Sequence, residues 1–159
     1  MARISNITMA EQPSYCILAI RKTIDFMVEF SEFSQQSFRK ISNYLEEKGI
    51  LSAGAPIVCF HNMDLEKLDV EVGFPVANHS VFNNMDTENE ILQKIVPTQK
   101  IITAIDLGPY ELQDPTLEEL FLWAKDSGYE LYGDIYYQYL NDLNRPESEY
   151  LTKMMLPIL

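Results

Sequence analysis

The periods of apolar and polar positions along this chain run through the same order twice. Ser14-Tyr15-Cys16-Ile17-Leu18-Ala19-Ile20-Arg21 alternates imperfectly, and Gln99-Lys100-Ile101-Ile102-Thr103-Ala104-Ile105-Asp106 repeats the pattern, so each predicts a strand. From about residue 26 the period becomes helical. Phe26, Phe30, Phe33, Ile41 and Tyr44 or Leu45 form one stripe, Glu29, Glu32, Arg39, Lys40 and Glu47 lie largely elsewhere, and Gly49 closes the helix. In the second half Asp114-Pro115-Thr116 opens a helix whose buried stripe is Leu117, Leu120, Phe121 and Ala124 and which stops at Gly128. Its start has two solutions: Thr116 with Glu119 as a capping box, or Asp114 before Pro115 as the N-cap.

Two further strands follow each helix, over residues 56–62 and 67–76 in one half and 133–141 and 150–158 in the other. The first strand of each pair ends on an asparagine, Asn62 or Asn141, and the second on apolar-Pro-apolar, Phe74-Pro75-Val76 or Leu156-Pro157-Ile158. The repeat halves span residues 13–76 and 98–159. A polar connector, residues 77–97, joins them and is expected to hold one short helix at Glu88–Ile95. The fold class is α+β, a pseudo-twofold pair of βαββ units in a single domain, 1–159, with a ligand cleft near the pseudo-twofold axis. Residues 1–12 are polar and too short for a helix-turn-helix.

Composition narrows the function. The 159 residues, 47% hydrophobic, suffice for a core, and no run approaches the ~18 apolar residues of a membrane span. The opening residues lack a signal peptide's apolar stretch, which makes the expected location cytoplasmic. With 24 acidic against 12 basic residues the formal charge is −12, which repels phosphate backbones and disfavours direct nucleic-acid binding. Cys16 and Cys59 sit in strand-like segments and read as buried reduced thiols. His61 and His79 have no partners at metal-ligand spacing, so no metal site is expected, and nothing signals an axial haem ligand or other cofactor. Gly-x-Ser-x-Gly and phosphate-binding glycine loops are absent from the sequence.

In order and spacing the chain resembles the GyrI-like small-molecule-binding family, which also supplies effector-binding domains to AraC-type and MerR-type multidrug regulators. The resemblance is carried by Ile95-Val96-Pro97-Thr98-Gln99-Lys100-Ile101, Gly108-Pro109-Tyr110-Glu111, Leu120-Phe121-Leu122-Trp123-Ala124 with Gly128-Tyr129, Tyr139-Leu140-Asn141-Asp142, and Asp69-Val70-Glu71-Val72-Gly73-Phe74-Pro75-Val76. It implies helices on one sheet face, an aromatic-lined cleft on the other and, with no DNA-binding module in the sequence, a free-standing member. Such members include a gyrase inhibitor and hydrolases that open cyclopropane rings of genotoxic natural products. Many members carry a glutamate two positions before a tyrosine, deep in the cleft. Alignment on Tyr139-Leu140-Asn141 puts Tyr137 there instead, which argues against cyclopropane hydrolysis.

Strand parity groups Tyr137 with Tyr139 and Val58 with Phe60. If those faces line the cleft, Val58, Phe60, Tyr110, Tyr137 and Tyr139 give a mainly aromatic wall, and Glu71 is the best remaining carboxylate. The bland alternatives are a solvated Glu71 or one paired with Lys153, a core Tyr110, and a Trp123 partly buried beside the helix stripe. The leading expectation is a non-enzymatic binder of amphipathic or cationic aromatic molecules that senses or sequesters them. The alternatives are a cofactor-independent hydrolase using Glu71 with Tyr137, and an acidic protein-interaction module with a partner such as gyrase.

Overall fold

The computed structural model describes residues 3–77 and 90–159. In chain order the strands among them are β1 (Thr8–Gln12), β2 (Tyr15–Ile24), β3 (Ile57–Phe60), β4 (Leu68–Val76), β5 (Leu92–Val96), β6 (Gln99–Leu107), β7 (Ile135–Tyr139) and β8 (Leu151–Ile158). The helices are α1 (Phe26–Lys48) and α2 (Asp114–Asp126). The strand pairings are antiparallel, giving an α+β fold. The chain forms two compact units, a first of Ser14–Pro97 and a second of Met1–Pro13 with Thr98–Leu159.

In the first unit the strands run β3-β4-β2-β5 and α1 covers one sheet face. Asp25 accepts the Met27 N–H at the start of α1, and Gly49, at φ 69°, ends it with bonds to Glu46 and Leu45 carbonyls closing the last turn. The buried stripe is Ser37, Ile41 and Leu45, with Phe33 and Tyr44 partly buried beside it, and it packs on Cys16, Leu18, Ile20 and Val76. Phe38 sets its ring edge-on to Phe74, fixing the even-numbered face of β4 as the helix side.

The second unit repeats the plan as β1-β6-β8-β7 with α2. Thr116, Leu120 and Ala124 are the buried residues of α2, while Leu117 and Phe121 flank them half-buried. Trp123 is half-buried and stacks on Tyr129. Neither expected cap forms. Gln113 occupies the N-cap position without a side-chain cap bond, and Thr116 lies inside the helix, where its hydroxyl donates to Asp106. Glu119 instead receives Arg3, at 2.7 Å. Gly128, at φ 79°, ends α2 as Gly49 ends α1.

Two stretches differ from the sequence reading. Within the expected Glu88–Ile95 helix the described residues form no helix: Glu90 is in a turn and, from Leu92, the chain is strand β5, which pairs along β2 from Tyr15↔Val96 to Ala19↔Leu92. An open sheet edge outweighs a weak helical period. The N-terminal polar stretch contains β1, an exposed edge strand whose polarity hid it. As a result β1 precedes β2 in the chain but pairs with β6, and β5 precedes β6 but pairs with β2. His79 lies outside the described residues.

A shared clamp closes the β3–β4 and β7–β8 connections. Asn62 donates to the Lys67 carbonyl at 3.0 Å and accepts the Asp69 N–H at 3.2 Å. Asn141 donates to the Glu149 carbonyl at 2.8 Å and accepts the Leu151 N–H at 3.0 Å. Each clamp encloses one turn of 3-10 helix, Leu65–Lys67 or Glu147–Glu149. The first clamp anchors the strand ends that carry His61 and Asp69.

Candidate functional site

Alternation along β4 sends Asp69, Glu71 and Gly73 to the face opposite α1. Register then supplies their neighbours: Arg21 and Cys59 lie across from Glu71, Ala19 and Ile57 across from Gly73, and Lys94 across from Ile17. Gly73 is required by close approach. A Cβ there would lie 2.5 Å from the Leu18 carbonyl oxygen and 2.9 Å from the Ile17 side chain. The absent side chain lets β2 and β4 draw together beside Glu71.

Glu71 is only 4% exposed, and its polar partners converge on one oxygen. Oε1 receives Lys94 Nζ at 2.7 Å and His61 Nε2 at 2.8 Å, whereas Oε2 is buried and accepts no hydrogen bond. Burial pushes this carboxyl up, but the hydrogen bonds from His61 and Lys94 and their charge together outweigh it and hold Glu71 below the ordinary glutamate range. Glu71 is therefore ionised at neutral pH and His61 Nε2 donates to it. Nδ1 of the same ring faces Cys59 Sγ at 3.8 Å. Nearby, Arg21 grips Asp69 through two bonds of 2.8 and 2.6 Å, which lowers the aspartate and raises the arginine from their ordinary values. Burial, then the charges of Cys59 and Glu71, raise the Tyr15 hydroxyl above its usual range.

Val58 and Phe60 occupy the other face of this sheet. Val58 is fully buried, and the Phe60 ring sits edge-on to Phe26 and Phe30 of α1, with centroids 6.0 and 5.8 Å apart. Within the first unit the structure thus separates Glu71 from the two apolar residues grouped with it by sequence. Glu71 pairs with Lys94 and His61, not with Lys153.

The remaining three residues lie in the second unit. Tyr137 and Tyr139 pair with Met154 and Thr152, both fully buried on the α2 side. The Tyr139 and Tyr110 ring centroids are 5.1 Å apart, and Tyr110 in turn stacks on Tyr150 at 5.1 Å. Burial raises all three site hydroxyls: Tyr110 and Tyr137 to about 12, and Tyr139 beyond the range of ordinary tyrosines. In the same layer Gln113 donates to Thr152 at 2.9 Å, and Asp106, 1% exposed, accepts from Thr116 through Oδ1 while its Oδ2 is buried without a partner. Burial, with Glu119 adding, raises the Asp106 carboxyl against the lowering effect of the Thr116 bond.

Sequence reading missed His61 and Lys94 as partners of Glu71. Cys59 and His61 are two apart and share Glu71's face by parity, a signal that was legible. Lys94 was hidden by the helical reading of its segment.

Comparison with known proteins places this geometry in context. A family model, the GyrI-like small molecule binding domain, matches residues 5–159. The C-terminal domain of EcmrR is similar at 17% identity and TM-score 0.80, over 97% of this chain and 97% of that one. In an EcmrR–DNA complex the match covers 96% of this chain and 57% of the longer EcmrR chain. A hydrolase from Listeria innocua is similar at 12% identity and TM-score 0.69, over 96% and 91% of the two chains. SAV2435, solved bound to tetraphenylphosphonium, is similar at 11% identity and TM-score 0.65, over 98% and 94%. These identities establish likeness of fold. No curated protein matches the chain in sequence. Among the described residues no helix is long and apolar enough to cross a membrane.

Proposed function

We propose that this chain, which belongs to the GyrI-like small-molecule-binding domain family, binds amphipathic aromatic molecules and serves as a sensing or sequestering module. The observation that carries the reading is the Glu71 carboxylate, ionised, buried and with Oε2 unpartnered. A buried acceptor left unsatisfied costs about 1–3 kcal/mol, which a ligand N–H or O–H aimed at Oε2 would recover. Ile17, Ile57 and Tyr15 share Glu71's face by parity; the two isoleucines are buried and Tyr15 half-buried, so a ring reaching Oε2 would pack among them as the site opens. Val58 is buried in the core and Phe60 packs on the α1 rings, so neither is a proposed contact.

A thermal-shift panel of aromatic amphiphiles tests this, because a ligand that binds only the native state raises apparent stability. The wild type should shift, Glu71→Gln should bind about tenfold more weakly, and Phe60→Leu should keep its affinity once its lower baseline stability is subtracted. Binding no tighter than about 1 mM across the panel would remove the reading.

A further inference from the structure

We propose that the end of the second unit, where β6 and β7 stop and β8 begins, is a docking surface for an arginine-bearing apolar segment of a protein partner. Backbone bonds tie the pieces of chain there together. The Gly108 N–H donates to the Tyr150 carbonyl at 2.9 Å, and the Leu140 N–H donates to the Leu151 carbonyl at 2.9 Å. On this frame Tyr110 stacks on Tyr150, with planes 26° apart, and meets Tyr139 at 45°. The Tyr150 hydroxyl lies 3.5 Å from the Leu143 carbonyl, which brings that loop against the stack. Leu112 follows Tyr110 in the same turn of 3-10 helix, Tyr110–Leu112. Tyr110, Leu112 and Leu143 are 37, 59 and 61% exposed. A single exposed leucine is ordinary, but apolar side chains gathered at a rigid ring stack mark a surface that another molecule can cover.

Charge decides the occupant. Glu111 lies in the same turn as Tyr110, Asp142 precedes Leu143, and Glu147 and Glu149 lie in the turn before Tyr150, all four exposed. Burial, then Tyr150 and Glu147, raise the Tyr110 hydroxyl, so the Glu147 charge is felt at the ring. The basic groups of the neighbouring elements are spent or turned away. Arg145 binds Asp142 at 3.1 Å, and Arg3, bridged to β6 at Asp106, binds Glu119 at 2.7 Å. Lys153 pairs across from Ile105 and Gln138, on the sheet face opposite Tyr139. A second copy of the chain would bring the same carboxylates against these, and a nucleic acid or an anionic bilayer would bring phosphates, so each is repelled. An arginine has no such conflict. Its weakly hydrated guanidinium stacks on a tyrosine face and pairs with a carboxylate at the ring edge, while apolar neighbours in its segment cover Leu112 and Leu143. An apolar, aromatic centre inside a charged rim is the usual anatomy of a protein interface.

Fluorescence anisotropy with a labelled peptide of alternating arginine and leucine, and with its lysine-for-arginine and glutamate-for-arginine counterparts, tests this at physiological salt. The arginine peptide should bind the wild type several-fold more tightly than the lysine peptide, and the glutamate peptide should not bind. Tyr110→Leu should weaken the arginine peptide about fivefold. The double variant Glu147→Gln with Glu149→Gln, on exposed positions that leave the fold alone, should weaken it about tenfold. Glu46→Gln with Glu47→Gln removes the same charge from exposed positions on α1 and should leave the affinity within about twofold. Equal losses in the two double variants would reduce the binding to net charge and overturn the inference. Equal affinity for the arginine and lysine peptides would overturn it too, as would no binding by either. Sedimentation that shows the free protein dimerising, and the peptide reversing it, would give this face to a second copy instead. The small-molecule panel reads Glu71 in the first unit, so its outcome and this one are decided separately.

Discussion

The two units share a backbone device and differ in what they do with it. Register makes Glu71 of β4 equivalent to Lys153 of β8, and Gly73 equivalent to Met155. The asparagine clamp, the 3-10 turn inside it and the left-handed glycine after the helix recur almost bond for bond. These features satisfy backbone groups at chain reversals, a need that every copy of the unit inherits. Side chains between the reversals carry no such obligation. The first unit buries an ionised carboxylate opposite its helix, while the second buries Asp106 beneath its helix against Thr116.

The largest way to break the comparison is at Gly73. Gly73→Ala should cost about 3 kcal/mol, because the new Cβ meets backbone rather than a movable side chain, whereas Met155→Leu should stay within about 1 kcal/mol. Urea denaturation of both variants measures this. Comparable costs would mean that β2 and β4 are not held at the spacing described.

The two buried carboxylates should answer acid in opposite directions. Glu71 is held low, so its contribution is complete above the ordinary glutamate range and lost as pH falls through its folded value. Glu71→Gln should cost about 2 kcal/mol at neutral pH, with the gap to wild type closing on acidification. Asp106 is held high, so its ionised form is penalised in the fold, and that penalty lifts as pH falls through its folded value. Asp106→Asn should be neutral or slightly stabilising at pH 7 and lose that advantage in acid. Thermal melts across pH 4–8 in the presence of constant salt give both curves, and parallel curves would refute the assignment.

The smallest effect sharpens the likeness. Asn62→Ala and Asn141→Ala should each cost about 1 kcal/mol and agree with each other, since each removes the same two bonds to backbone. A difference of twofold or more in urea denaturation would show that the clamps are alike only in outline.

Legibility followed physical cause. The helices announced themselves through apolar period and glycine stops, and the strands that bury residues on at least one face were found within a few positions. Strands β1 and β5 were not, because an exposed edge strand needs no apolar alternation and takes its shape from a partner distant in sequence. The same blindness hid Lys94, and with it the compensation of Glu71. Parity correctly paired Val58 with Phe60 but could not tell which face α1 would cover. The Phe26 and Phe30 rings decide it.

The exchange of edge strands sets the timing of folding. The first unit is continuous in the chain and has every strand in hand once Pro97 is made. The second must keep β1 waiting until β6 is synthesised, and its sheet closes only when β8, the last described strand, slots between β6 and β7. During synthesis the first half therefore has its sheet and its buried Glu71 in hand while the second still lacks strands, and the second alone spends loop-closure entropy on bringing β1 back to β6.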